Sequence, residues 1–576
     1  MRGRSSQAGG LFLKQRLIQT VGPLVLLFAF ITSAQAQTQS KPPSASAVAS
    51  AHPIATAAGH EILAAGGNAF DAAVAVSATL AVVEPAGSGI GGGGFWLLHR
   101  AKDNFQTMVD GRERAPLAAH RDMYLDEDGT VIKGLSMNGP LAAGIPGEPA
   151  ALVHIAEKYG RLPLSKSLAP AIRVARDGFA VDDRYRKLAG FRLKQMRKDP
   201  ETAAIFLSNN EAPVIGYIIK QTDLANTLEA IARNGHAGFY SGDVAKKLVK
   251  GVRQGGGIWS LQDLADYTVV ERQPVHGKYD GIRITSAAPP SSGGIALVTM
   301  LNILSGFELE NMSETTRIHT IVEAMRRAYR DRAEYLGDPD FISIPTEKLI
   351  HPFYAAGLRN SIRLDQVTAS HSLPGAVQNS AGQDTTHFSI LDQEGNRVAA
   401  TLSINYPFGA TFTPAGTGVL LNNEMDDFSA KPGAPNAYGL VGAEANAIAA
   451  GKRPLSSMSP TFLETDDRLA ILGTPGGSRI ITMVLLGALE FAANKPVTDW
   501  VSRDRFHHQF LPDSIQFETD TLTATQQQQL KSLGHELNVV NRKYGNMQAI
   551  LWYKPDNQVE AASDPRGNGT ADVHKH

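Results

Sequence analysis

The chain has 576 residues, 43% of them hydrophobic, enough to bury one large core or two to four smaller ones. Basic and acidic residues nearly cancel, at 55 against 56, and no long run of like charge occurs; this excludes the electrostatic footprint of a nucleic-acid or membrane-surface binder. Cysteine is absent, so disulfides, thiolate metal sites and a cysteine nucleophile are excluded as well.

The first segment reads as a targeting signal. Arg2, Arg4, Lys14 and Arg16 form a basic leader, and the apolar run "VGPLVLLFAFIT" at 21–32 is short for a bilayer span. Ala34 and Ala36 follow as small residues at a cleavage site. Residues 1–36 are therefore expected to be a secretory signal peptide, with Gln37 as the mature start and a periplasmic destination. The Gln/Ser/Pro/Ala stretch to about Ser50 reads as a flexible lead-in.

"NAFDAAVAVSATLAVV" begins at Asn68, a good N-cap, and is apolar on all sides, which predicts a buried helix. "GSGIGG" at 87–92 satisfies the glycine spacing of a dinucleotide fingerprint. That fingerprint needs a strand before it and a helix after it, whereas here a helix precedes and the strand-like "FWLLH" follows; a close-packed turn is the better reading. Further helices are expected at about 148–159, at 222–234 ending on Gly235, and at 314–336 with Ile318, Ile321, Val322, Met325 and Tyr329 on one face. Beyond Asp384 the pattern turns to β: "HFSIL" and "RVAATLSI" flank the turn "DQEGN" as a hairpin, and "GVLLNN", "LAILGT" and "AILWYK" predict more strands. A helical front half and a strand-rich back half, with no linker between them, predict an α+β body of helices on stacked antiparallel sheets. Adjacent His507 and His508 lack the spacing of a metal pair, no later segment is apolar enough to span a membrane, and the common metalloprotease, P-loop and serine-hydrolase motifs do not occur.

Thr385 and Thr386 open the hairpin behind a polar, Gly- and Pro-containing loop. Taken alone, two threonines at a strand start express strand propensity. The other reading makes Thr385 a nucleophile. A hydroxyl needs a base, and an α-amine with a pKa of about 7.7–8.0 can supply it from the same residue. That amine exists only if Thr385 attacks the Asp384 carbonyl and the Asp384–Thr385 bond is broken.

Several longer motifs keep "TTHFS" company: "DGRERAP", "PPSSGG", "LLNNEMDDFSAKPG", "KRPLSSMSP", "GTPGGSRIIT" and "ASDPR". Together they resemble the γ-glutamyltranspeptidases of the N-terminal-nucleophile hydrolase superfamily. The resemblance implies a four-layer αββα sandwich and a precursor that cuts itself into a large subunit (37–384) and a small one (385–576), held together as a heterodimer. It implies that Thr385 takes the γ-glutamyl group from glutathione or a related compound as an ester, then passes it to water, an amino acid or a dipeptide. No cofactor or metal is implied. By motif, Arg112, Ser456 and Ser457 would hold the donor's α-carboxylate, and Glu424, Asp427 and Asn405 its α-ammonium, with the arginine on one side and the acids on the other. Gly476 and Gly477 would supply the oxyanion hole. Ser403, on the same strand face as Thr401, would contact the nucleophile and assist maturation, a position where many relatives carry threonine. Tyr438 would gate a lid loop. The alternatives are a cephalosporin (glutaryl) acylase of the same fold, and an exported binding protein that keeps the fold without turnover.

Overall fold

The computed structural model describes residues 41–373, 385–431, 433 and 442–575. Asp384, Tyr438 and the whole of 1–40 lie outside the described residues, so the expectations placed on the cleavage bond, the lid and the leader are not met or refuted by the coordinates.

Two antiparallel sheets form the centre. The first runs, edge to edge, Thr570–Lys575, Ala45–Ser50, Thr386–Leu391, Arg397–Ser403, Gly93–Arg100, Phe105–Gly111 and Val270–Arg272. The second runs Gln558–Ser563, Gln548–Tyr553, Arg468–Gly473, Thr461–Glu464, Ile282–Ser286 and Val275–Tyr279. The sheets stack against each other, and helices cover both outer faces, giving the four-layer α+β sandwich. Period-two alternation sorts the side chains between layers. Val48, Trp96, Leu98, Phe388, Ile390, Val398, Ala400 and Leu402 pack with the helices Ala69–Val83 and Glu148–Tyr159. Ala47, Ala49, Phe95, Leu97 and Ala399 face the second sheet.

The helix Ala69–Val83 is buried along its full length and starts with a capping box between Asn68 and Asp71. Helices Glu148–Tyr159, Thr222–Asn234 and Glu314–Tyr335 fall where the sequence predicts them. Helix, glycine turn, strand is also the observed order around 87–92, so no helix N-terminus follows those glycines to receive a pyrophosphate.

Two expectations are corrected, and two helices are added to those read from the sequence. Front-half residues contribute strands to both sheets, so the chain is not helices followed by strands. "GVLLNN" is not a strand: Leu421 makes one isolated bridge to Gly91, and the two asparagines satisfy backbone groups instead. Finally, Gly293–Leu304 and Ile480–Ala492 are helices that no amphipathic period announces, because each is apolar on every side.

Candidate functional site

The hairpin register builds the first wall. Leu402 pairs with Thr386 and Thr401 with His387, so the ladder carries Ser403 opposite Thr385 at the open end of the sheet. Both residues, with Asn405, Glu424, Asp427, Ser456, Ser457, Met458, Gly477, Ser478 and Ile480, line one cleft of about 270 Å³. Thr385 is 3% exposed. Thr401 shares the face of Ser403 but turns to His387 Nδ1 at 2.8 Å. Burial drives the His387 imidazole down to about 3, so it stays neutral between the sheets.

The chain bends sharply after this strand. Asn405 has φ +71°, its N–H donates to Ser403 Oγ at 2.7 Å, and its side-chain amide donates to the Asn423 carbonyl at 2.9 Å. Asn422 clamps the next segment, accepting from Gly144 N–H and Glu424 N–H and donating to the Gly91 and Gly144 carbonyls. This pinning presents the 3-10 turn Glu424–Asp427 to the cleft.

Arg112 does not stand across the site from the acids. It lies fully buried behind them, pairing with Glu424 through Nη1 and with Asp427 through Nη2 at 2.5 Å. Its remaining N–H groups go to Glu113 at 3.5 Å, to the Pro454 carbonyl at 3.1 Å and to the Leu455 carbonyl at 3.4 Å. All five donors of the guanidinium are thus engaged within the protein. Burial opposes its charge, but Glu424, Asp427 and Glu113 outweigh that and hold it cationic. One cation cannot ionise three buried carboxylates equally. Burial pushes Glu113 well up, and its Oε1 has no partner among the described residues. Burial also lifts Glu424, to about 7, against the pull of Arg112.

The opposite wall is hydroxylic. "PPSSGG" and "PLSSMSP" lie alongside one another: Ser292 N–H donates to the Ser456 carbonyl at 2.8 Å, and Ser456 N–H to the Pro290 carbonyl at 2.9 Å. Gly293 belongs there because a Cβ would stand 2.2 Å from Ser459 Oγ. Ser456 Oγ accepts from Met458 N–H at 3.1 Å, and Ser457 Oγ accepts from Arg332 Nη2 at 3.3 Å. Each hydroxyl thereby has an acceptor lone pair filled and keeps its proton to donate.

The third wall is the turn that enters helix Ile480–Ala492. Gly476 has φ +143° and Gly477 φ +57°, backbone that only glycine adopts without strain. Neither amide N–H donates to any acceptor among the described residues, and Gly477 lines the cleft with Thr385. Tyr329 O–H donates to the Ser478 carbonyl and fixes this turn from helix Glu314–Tyr335.

Of the residues that the motifs single out, Thr385, Ser403, Asn405, Glu424, Asp427, Ser456, Ser457 and Gly477 meet in the cleft; Gly476 adjoins it and Arg112 backs it. The supporting residues Asn422, Ser292, Tyr329 and Arg332 were not read from the sequence. A further group, His319, Glu323 and His535, gathers His and Glu atoms within 4.8 Å of one another away from the cleft. His319 and Glu323 are four apart on one helix, the spacing that would have flagged them. Their atoms are engaged: His319 with His535 and the Arg363 carbonyl, both at 2.7 Å, and Glu323 with Arg326, Arg327 and Thr368 N–H.

The gamma-glutamyltranspeptidase family model matches residues 55–573. The glutathione hydrolase proenzyme of Pseudomonas sp. (strain A14) is 42% identical over 536 residues, covering 90% of this chain and 92% of that protein. The proenzyme of the same name from Escherichia coli (strain K12) is 41% identical over 531 residues, covering 90% of each. Among solved structures, a cephalosporin acylase from Bacillus halodurans superposes with a TM-score of 0.80 at 28% identity, over 92% of this chain and 96% of that one. The Helicobacter pylori gamma-glutamyltranspeptidase superposes with a TM-score of 0.55 at 41% identity, over 56% of this chain and 93% of that one. With a family match over residues 55–573 and relatives above 40% identity covered almost end to end, the chain belongs to the gamma-glutamyltranspeptidase family.

Proposed function

We propose that Thr385 is the nucleophile with which this chain acts as a glutathione hydrolase and γ-glutamyltransferase. The Thr385 hydroxyl attacks the Asp384 carbonyl, and the Asp384–Thr385 C–N bond breaks as the ester forms, freeing the α-amine; water then hydrolyses the ester, which restores the hydroxyl and divides the precursor into 37–384 and 385–576. That amine then takes the proton of its own hydroxyl as the oxygen attacks the γ-carbonyl of the donor. The Gly476 and Gly477 N–H groups receive the developing oxyanion, and the proton passes to the leaving amine. Water or an amino-acid amine attacks the ester in turn. Glu424 and Asp427, with Asn405, hold the donor ammonium; Ser456 and Ser457 donate to its carboxylate. We assign Arg112 to holding the two acids in place rather than to the substrate, since its donors are already committed.

One observation carries this reading: a strand-opening threonine, two unengaged glycine amides, two carboxylates and two outward-donating hydroxyls line or border a single cleft. It is supported by the proenzyme relatives. Residues 1–36 fit an export signal removed on the way to the periplasm; no helix among the described residues is long and apolar enough to cross a membrane. A glutaryl-type acylase is the second reading, favoured by the whole-chain superposition on the B. halodurans enzyme.

The test is intact-mass spectrometry on wild type and Thr385→Ala, with turnover of γ-glutamyl-p-nitroanilide and glutaryl-p-nitroanilide on the same samples. Wild type should give fragments of about 37 and 21 kDa, at about 0.11 kDa per residue, and prefer the γ-glutamyl donor. Thr385→Ala should stay whole and inactive. Preference for the glutaryl donor moves the assignment to the acylase, and an uncleaved wild type overturns the nucleophile.

A further inference from the structure

The strand that Thr385 opens has two faces, and a cavity lies at each. Thr385 lines the cleft, whereas Thr386, with Phe388 and Ile390 beyond it, faces the helices. On that side is a second cavity of about 320 Å³, with His52, Glu84, Asp182, Arg184 and Asn568 in its lining. Thr386 Oγ1 donates to Glu84 Oε2 at 2.5 Å, and a Cβ on Gly87 would stand 3.3 Å from the Thr385 carbonyl oxygen and 3.4 Å from Glu84 Cδ. Glu84 therefore lies against the start of the strand. Neither charge of this cavity suits its own helix: Glu84 caps the C-terminus of Ala69–Val83, and Arg184 stands in the first turn of Asp183–Met196, so each meets the dipole end of its own sign. They pair through Arg184 Nε and Glu84 Oε1 at 3.6 Å. Asp182 is committed to uncharged donors, Tyr185 N–H at 2.7 Å and Asn568 Nδ2 at 2.6 Å. Burial lowers His52 to about 4 against the pull of Asp182, which leaves Arg184 as the one cation among the described residues that line the cavity. One guanidinium can serve two carboxylates, as Arg112 serves Glu424 and Asp427.

We infer that Arg184 is a positioning residue for self-cleavage: its guanidinium takes the carboxylate of Asp384, the residue on the far side of the bond that Thr385 breaks. This rests on the self-cleaving reading above. Asp384 is two residues before Thr386, a reach of about 7 Å along the chain, and alternate side chains of an extended chain share a face. The side within its reach is thus the one where Glu84 holds Thr386 and where Arg184 is the cation. The reaction calls for such a partner. As the Thr385 hydroxyl attacks, the Asp384 carbonyl oxygen gathers negative charge, and an unmatched carboxylate on the same residue opposes it. A guanidinium on that carboxylate removes the opposition and stops the residue from turning about the bond under attack. Once the bond is cut, Asp384 ends the other fragment and Arg184 has no part in turnover.

The experiment is a double-mutant cycle on the rate of cleavage. Wild type, Arg184→Gln, Asp384→Asn and the double variant are made by cell-free synthesis, and intact mass follows each chain after synthesis is stopped. Arg184→Gln should slow cleavage by about tenfold when Asp384 is present, and by less than about twofold in the Asp384→Asn background. Arg184→Lys, which keeps the charge and loses the fork, should fall between wild type and Arg184→Gln. Equal slowing in both backgrounds would make Arg184 a prop for the fold and overturn the inference, as would no slowing in either. The second readout is turnover per cleaved molecule, with whichever of the two anilides wild type accepts. It should match wild type once the chain is cut, and a fall as large as that in cleavage overturns the inference too. Where Arg184→Gln is insoluble, Arg184→Lys carries the same cycle against the same outcomes. A wild type that stays whole fails the self-cleaving reading instead, and this inference with it.

Discussion

At the residue scale, the proposed role of Glu424 in holding the donor ammonium predicts a pH dependence. Three buried carboxylates share the Arg112 guanidinium, and burial lifts Glu424 from the ordinary carboxylate range to about 7. It must be ionised to hold a donor ammonium, so donor capture should fall as pH drops through about 7. The Thr385 amine, with a reference pKa of about 7.7–8.0, must be unprotonated too. The acid limb of kcat/KM in wild type should therefore involve two protons, and in Glu424→Gln one, at a lower plateau; a single-proton limb in both would show that Glu424 does not titrate there. The residues that bear this chemistry were legible because each sits in a short motif of unusual composition, such as "PLSSMSP" or "PGGS". The inward turn of Arg332 was not, although Tyr329 beside it falls on the apolar face read from the sequence. They occupy a long helix that also carries Arg326, Arg327 and Arg330, and only the fold reveals which of those charges turn inward.

Among the elements, the turn into helix Ile480–Ala492 depends on its glycines. A Cβ at Gly476 would stand 2.5 Å from Met483 Cε, on backbone at φ +143°. On the proposed reading, Gly476→Ala should therefore tilt an amide that would face the oxyanion. We expect kcat to fall by about a hundredfold with KM little changed and cleavage retained in part, read from steady-state kinetics and the mature fraction. A KM effect alone would remove these amides from the transition state. One strand away, Gly473 admits the His387 ring, which a Cβ would meet at 2.2 Å. Gly473→Ala should cost about 1–3 kcal/mol by overpacking, seen as a lowered Tm. Capped, polar-ended helices such as Ala69–Val83 could be read in advance because caps are local chemistry. The helix Ile480–Ala492 could not, since a segment apolar on all sides carries no period. "GVLLNN" misled because its composition suits a strand, but its backbone bonds are divided among Ala410, Phe412, Gly91 and Ile404 instead of running along one partner strand.

Over the whole molecule, the sheet order decides what cleavage before Thr385 would do. Strand Ala45–Ser50 lies between Thr570–Lys575 and Thr386–Leu391, so a strand from before Thr385 is hydrogen-bonded on both sides to strands from after it. Arg397–Ser403 is likewise flanked by Gly93–Arg100, and in the second sheet Thr461–Glu464 pairs with Ile282–Ser286. The cores on either side of the first sheet draw residues from before and after Thr385 alike. No surface separates the two pieces; parting them means opening both sheets. The attachment is mainly apolar burial and backbone hydrogen bonding; the exposed ion pairs that also cross it, such as Arg161–Glu394 and Arg283–Asp466, contribute little, so screening should weaken it only slightly. We therefore expect the fragments to co-elute on size exclusion in about 1 M salt, far above physiological screening. They should unfold together, with Trp96 in the first sheet and Trp552 in the second reporting the same urea midpoint as far-UV circular dichroism. Fragments that separate in salt alone, or tryptophan and dichroism transitions at different midpoints, would mean that cleavage leaves two independently stable halves, and the interleaving would then hold only as far as the uncut chain enforces it.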